Sequence, residues 1–220
     1  MIEAWLLVAH IAVLGYWLGS ELVINSTYRY VCHAVSMPFP ERDRLMDHVM
    51  HVDQHVRYAL VLQASLGTAL AARFGYVPGG DTLAVAAAVT GVAWLAFVEI
   101  VHRLRHHPAA ARLGAIDRGS RYILMAVLLA IGIGLIGGGW PMPVWLRWKL
   151  ALFTGVMMAG VGIRMALIDH FRTWAQMKRN GPTAATNAII QRTYLRATSV
   201  LVLLWLFIAA IVVLSVGKPM

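Results

Sequence analysis

Cysteine and acidic residues are scarce in this chain of 220 residues, which has one Cys and ten Asp plus Glu against 19 Lys plus Arg. The lone Cys32 excludes an internal disulfide and argues against a thiolate metal cage. Charged residues make up only 13% of the chain, where a soluble domain carries about a quarter. Signatures of nucleotide chemistry and nucleophilic hydrolysis are also missing, with no phosphate-cradling loop and no nucleophile elbow. Gly132-Ile133-Gly134-Leu135-Ile136-Gly137 satisfies G-x-G-x-x-G. It lies in an apolar stretch, however, without the preceding strand that a dinucleotide site requires.

Apolar residues make up 60% of the sequence, and they come in long blocks. A bilayer span needs about 20 mostly apolar residues, and six blocks near that length occur at 4–24, 56–72, 83–101, 122–138, 144–168 and 197–216. The pattern predicts an all-α fold, a polytopic transmembrane bundle of about six spans forming one membrane domain over 1–220. The apolar runs are continuous, whereas a barrel strand would alternate. The first block opens Met1-Ile2-Glu3 without a basic leader, so it is expected to be a retained span rather than a cleavable signal. Small residues recur in span four (Gly132, Gly134, Gly137, Gly138) and span five (Gly155, Ala159, Gly160, Gly162), where they would let helix backbones approach closely. Pro78-Gly79-Gly80 and Trp140-Pro141-Met142-Pro143 read as tight turns. Trp140, Trp145 and Trp148 read as an interfacial belt. Residues 37–47 read as a short loop leading into a helix that begins before the membrane.

Charge placement orients the chain. The connections between spans one and two, three and four, and five and six, with the adjoining helix ends, hold 14 of the 19 basic residues. The opposite side holds Arg73, Arg147, Lys149 and Lys218, and Arg164 falls inside span five. The positive-inside rule then puts the basic side in the cytoplasm and both termini outside, so a bacterial cytoplasmic (inner) membrane protein would have periplasmic termini. The net charge of +9 is thereby a topology signal with some attraction to anionic lipid headgroups. The bilayer is the expected partner and nucleic acid is not.

The same topology sorts the nine histidines. His10 lies within span one, nearer the outer side, and the other eight fall on the cytoplasmic half. On a helix, His48, His51 and His55 would fall within roughly 60° of one another, a single stripe. Glu99, His102 and His106 would form a second stripe at the inner end of span three, with Asp169 and His170 at the same level ending span five. Imidazole is a preferred ligand for haem iron and borderline metals. His51, His55, His102 and His170 are therefore the candidate haem-binding residues, with Arg57 and Arg103 placed to pair with propionates. His10, His51, His55, His102, His106 and His170 are the candidate metal ligands. His33, His48 and His107 read as bystanders. An ionisable group within a span is by default functional, which singles out His10 and, at a similar outer depth, Lys149 as the candidates for catalysis. Glu21 would pair with a basic residue, and Arg164 would snorkel to the inner interface.

Short motifs extend this reading. His10 followed by Trp17-Leu18-Gly19 resembles the first helix of the CopD copper-resistance membrane family and is similar to that of HemJ-type protoporphyrinogen oxidases. Trp148-Lys149-Leu150 followed by Arg164 resembles the lysine-bearing helix of those families. Asp53-Gln54-His55-Val56-Arg57 resembles an Asp-x-x-Pro-Arg step in uncharacterised bacterial membrane proteins of the same broad group, with Val56 in place of the proline. Leu113-Gly114-Ala115-Ile116-Asp117-Arg118 resembles that group's third connection. The resemblance implies a bundle that binds b-type haem or handles copper, with functional roles for His10 and Lys149. Two more spans and a dense inner histidine cluster set this chain apart from the HemJ-type enzymes.

The leading expectation is a membrane protein that binds haem b and transfers electrons, an oxidoreductase or electron carrier with quinone or a redox protein as partner. A homo-oligomer is compatible with it. One alternative is copper handling, with His10, Met157 and the inner histidines as stations on a transmembrane route. Another is a non-haem di-iron oxygenase, in which His51-x-x-x-His55 and His102-x-x-x-His106-His107 would serve as histidine boxes and Asp169-His170 as a thin third. Alkaline phosphatase fused to either terminus should be active in intact cells, and a fluorescent protein fused there and exported in unfolded form should stay dark. The reverse pattern would overturn the orientation.

Overall fold

The computed structural model describes residues 1–105 and 107–218 and contains no strand among them. Seven helices follow one another: α1 Ile2–His33, α2 Phe39–Arg73, α3 Gly80–Arg103, α4 Ala110–Gly132, α5 Val144–Ala166, α6 Ile168–Asn180 and α7 Ala184–Gly217. Among the described residues four stretches are long and apolar enough to cross a membrane: α1, α3, α5 together with α6, and α7. At 1.5 Å per residue α5 alone is about 35 Å long, enough for a hydrocarbon core of about 30 Å. The sequence blocks at 56–72 and 122–138 belong to α2 and α4, whose apolar parts are interrupted by charge. Arg57 and Arg73 bracket the first, and Asp117, Arg118 and Arg121 precede the second.

The packing is that of a bundle meant for lipid. Val85, Val89 and Val92 of α3 and Val202, Leu206 and Val213 of α7 face outward, while Gln54, Gln63 and Thr154 are buried. A soluble protein rarely exposes so much contiguous apolar surface. The inward polar groups find backbone partners. Gln63 Nε2 donates to the His10 carbonyl at 2.9 Å, and Gln54 Nε2 donates to the Val98 carbonyl at 3.3 Å. Trp17, Ala59, Val156, Ala159, Leu204 and Ile208 form the central core, joining α1 and α2 to α5 and α7.

Three helices are longer than a membrane. With 32, 35 and 34 residues, α1, α2 and α7 run to about 48–52 Å. Their surplus lies at the end of the bundle that carries α6, called here the basic end. There the last turns of α1, the first turns of α2 and α7, and α6 enclose a second core of Tyr28, Val31, Cys32, Met46, Val49, Trp174, Met177, Ile190 and Tyr194. Burial in it pushes the Cys32 thiol up to about 12. Helix α6 buries His170, Thr173, Trp174 and Met177 along one face and exposes the other. Asp43 links it to α2, accepting from Trp174 Nε1 at 2.9 Å and pairing with Lys178 Nζ at 2.8 Å. That carboxylate holds the Lys178 ammonium above its usual value. A capping box between Thr183 and Thr186 starts α7.

Several sequence boundaries move. The loop expected over 37–47 shrinks, because α2 begins at Phe39 with Pro40 in its first turn, where a missing amide costs nothing. Helix α4 runs from Ala110 to Gly132, so it starts ahead of the apolar block 122–138 and stops within it. Gly134 and Gly137 take positive φ angles of 83° and 68°, backbone that leaves a helix and suits glycine. Arg147 of α5 closes this end, donating to the Ile131 carbonyl at 3.1 Å and the Gly137 carbonyl at 2.7 Å. The span read at 144–168 breaks at Leu167, so Asp169 and His170 start α6 rather than end α5. At the opposite, terminal end Arg73 joins three helices by pairing with Glu3 and Asp81.

The glycines divide by what they touch. A Cβ on Gly132 would stand 2.9 Å from Ala151 N and 3.0 Å from Arg147 O, backbone atoms that cannot step aside. Gly155 and Gly162 meet Phe207 and Val200 of α7, while Gly160 meets nothing within 4 Å. Gly132→Ala should therefore force α4 from α5 and cost about 1–3 kcal/mol, read as a lower unfolding temperature in detergent. Gly160→Ala should be neutral or slightly stabilising. Equal effects would show that the α4–α5 contact is not backbone-close.

Candidate functional site

The histidine stripe forms as spaced, since His48, His51 and His55 all lie on α2 and are all exposed. Their neighbours diverge. His51 faces α3, and its ring lies 5.9 Å from the His102 ring at 77° between planes. Its Nδ1 sits 2.7 Å from the Asp47 carbonyl one turn back. A proton on Nδ1 satisfies that carbonyl and leaves Nε2 as a free base. His55, one turn on, faces α1. Its Nδ1 meets the Tyr16 hydroxyl at 2.6 Å, and the Tyr16 and Tyr58 rings flank it edge-on. Tyr58 in turn donates to Glu99 of α3, which also holds Arg103.

His102 is half-buried in the last turn of α3. The helix stops at Arg103, so the second stripe does not continue as a helix beyond it, and His106 lies outside the described residues. The candidate propionate partners already have carboxylate neighbours on their own helices: Asp53 for Arg57 at 3.3 Å and Glu99 for Arg103. Arg57 remains within electrostatic reach of His102.

His170 is not brought to the other candidate ligands. It has no solvent exposure, being stacked on Trp174 with ring centres 5.6 Å apart, edge-on to Tyr28 at 4.9 Å, and 3.2 Å from Thr193 Oγ1 through Nδ1. Its Nε2 has no partner. Burial, reinforced by the Arg42 charge, lowers its pKa to about 4. The sequence expectation placed it level with the histidines of spans two and three. Depth along a bundle does not say which way a ring points, and here α6 turns it into the second core.

His10 of α1 lies within electrostatic reach of Lys149 of α5, and its Nδ1 makes no hydrogen bond to it. His10 packs over Gly67, where a Cβ would lie 3.5 Å from its Cε1, and its Nδ1 is buried without a partner. Glu21, expected to meet a basic residue, instead accepts from Trp17 Nε1 at 3.3 Å. Arg164 is exposed. Of the expected bystanders, His33 stacks edge-on to Tyr194 and His107 accepts from the Ala109 amide.

Sequence reasoning missed Tyr16 and Tyr58, the phenols that share the site with His55 and Glu99. The available signal was weak, a tyrosine one helical face away from a polar stripe. It also missed the pairing of Asp117 with Arg121 across one turn of α4. That spacing was readable as an i, i+4 ion pair. Among the described residues no three His, Cys, Asp or Glu side chains converge as a metal-binding group. No protein-family model, curated protein or solved structure matches the chain.

The buried His170 has a consequence for acid stability. Its folded pKa lies below the ordinary 6.5, so the unfolded chain binds the extra proton, and stability must fall as pH drops through 6.5 toward 4. Above pH 7 nothing is lost. The unfolding temperature of the purified protein should decline across that window. His170→Phe, which keeps the stack on Trp174, should flatten the decline. An unchanged slope would show that another group controls acid stability.

Proposed function

We propose that this chain is a six-span protein of the bacterial cytoplasmic membrane, with periplasmic termini, that binds b-type haem at its basic end and passes electrons there. The basic end is then the cytoplasmic one, and α2 and α4 are the two additional spans. The observation that carries the haem reading is the His51–His102 pair. Metal–imidazole bonds are about 2 Å long, so two imidazoles that shared one ion would have ring centres roughly 6 Å apart. The observed 5.9 Å separation fits. Bis-histidine ligation, one of the ways in which haem iron is held, calls for two imidazoles, and His51 and His102 would supply them.

Bound there, haem would supply one-electron transfer. The protein's own contribution is to hold His51 with Nε2 as the free base, through the Asp47 carbonyl, and to carry His102 on the neighbouring helix. Arg57 and Arg103 stand on the same two helices and would offer guanidinium donors to propionates, in exchange with Asp53 and Glu99. His10 and Lys149 form a second polar site toward the outer face. An ionisable pair inside a span and the resemblance to CopD and HemJ-type families both support a functional role for it.

Protein purified from haem-replete cells should show a Soret band. His51→Ala and His102→Ala should abolish or strongly reduce it. His55→Ala, which touches Tyr16 instead, should keep it. A colourless preparation would overturn the haem reading. Elemental analysis showing retained copper, or two irons without haem, would select one of the alternatives.

A further inference from the structure

Away from the histidines, α2, α3 and α4 leave a groove of about 260 Å³ between them. Its walls are apolar or small: Leu60 and Ala64 of α2, Ala87 and Trp94 of α3, and Leu124 of α4. It runs from Arg57 to Thr68 along α2, three turns or about 16 Å of helix rise. One end alone is charged, where Arg57 meets Asp117 and Arg121.

That end is electrically balanced. Arg57 pairs with Asp53, and Arg121 pairs with Asp117 through Oδ2. An anionic head would upset this balance and face two carboxylates. Asp117 is only 4% exposed, and its Oδ1 has no hydrogen-bond partner. A buried carboxylate oxygen left unsatisfied is costly, and the group that would relieve it is a hydrogen-bond donor. The guanidiniums beside it call for an acceptor. A ligand suited to this groove is therefore a long apolar chain lying parallel to the helices, with a neutral head that both donates and accepts.

We propose that the groove binds an isoprenoid quinol or quinone, its chain along the α2–α3 wall and its ring against Asp117 and Arg121. A quinol hydroxyl donates to Asp117 Oδ1, and the oxygen of either form accepts from a guanidinium. A phospholipid fits less well, since its phosphate carries a charge that Asp53 and Asp117 repel. The site depends on the membrane embedding proposed above and not on haem, so the two can fail separately.

Trp94 lines the groove and reports on it. The test uses the full chain in quinone-free phosphatidylcholine nanodiscs, titrated with decyl-chain benzoquinone and its quinol while tryptophan fluorescence is followed. Saturable quenching is expected, largely lost in Trp94→Phe. Ala87→Phe, which fills the groove, should weaken binding at least tenfold, and Thr90→Leu on the same wall serves if that variant does not fold. Asp117→Asn should weaken the quinol about tenfold and leave the quinone nearly unchanged, a difference that a merely structural role would not produce. Linear quenching identical in wild type and Ala87→Phe would overturn the proposal. So would a phospholipid found on the purified protein by mass spectrometry and not displaced by the quinone.

Discussion

Arg42 is the side chain on which the basic end depends. It has no solvent exposure, and its partners are a carbonyl, an amide oxygen and an indole face rather than a carboxylate. Nε donates to Val31 O at 3.1 Å, Nη1 donates to Asn187 Oδ1 at 2.9 Å, and the guanidinium carbon lies 5.5 Å from the Trp174 ring centre. One residue thereby joins the end of α1, the start of α2, α6 and the start of α7. Burying a guanidinium costs several kcal/mol unless its donors are met, so an arrangement of the four elements that meets Nε and Nη1 is favoured over others. One donor, Nη2, still lacks a partner, and the charge also bears on His170. Because α2 is one unbroken helix, anchoring Arg42 also sets the rotation of the face that carries His51 and His55.

The interior follows a second constraint. Lipid offers no hydrogen bonds, so polar groups inside the bundle must find partners in the protein. Gln63 and Gln54 bind helix carbonyls, and Arg147 closes the end of α4. The buried atoms that remain without partners are then conspicuous. His10 Nδ1 and Asp117 Oδ1 are two of them, one on a ring packed over Gly67 and the other at the charged end of the groove.

The apolar blocks were legible because a membrane core imposes length and composition together. Each of the six lies within a helix or overlaps one, although only four stretches are apolar enough to be recognised as spans by composition alone. Arg57, Gln63 and Asp117 dilute the other two, because residues that serve the interior look, in a linear average, like residues that belong in water. Helix ends were less legible. The stop at Gly132 comes from two glycines at positive φ and from Arg147, a residue 15 positions on. The start of α2 ahead of its apolar block was read from the sequence, but the second core that it shares with α1, α6 and α7 was not, since tyrosines, methionines and a buried arginine on amphipathic turns resemble ordinary loop-proximal helix.

From the sequence alone follow the all-helical class, the asymmetry of basic charge, the shared helix face of His48, His51 and His55, and the isolation of His10. These depend on periodicity and local composition, which a chain carries wherever it folds. Only the tertiary structure decided that His51 meets His102, that His55 turns to Tyr16, and that His170 is sealed against Trp174. Depth in a bundle can be counted along a chain, but the direction of a ring depends on how neighbouring helices are rotated. Here that rotation is set by contacts between residues far apart in sequence, Arg42 with Asn187 and Gly132 with Ala151 among them.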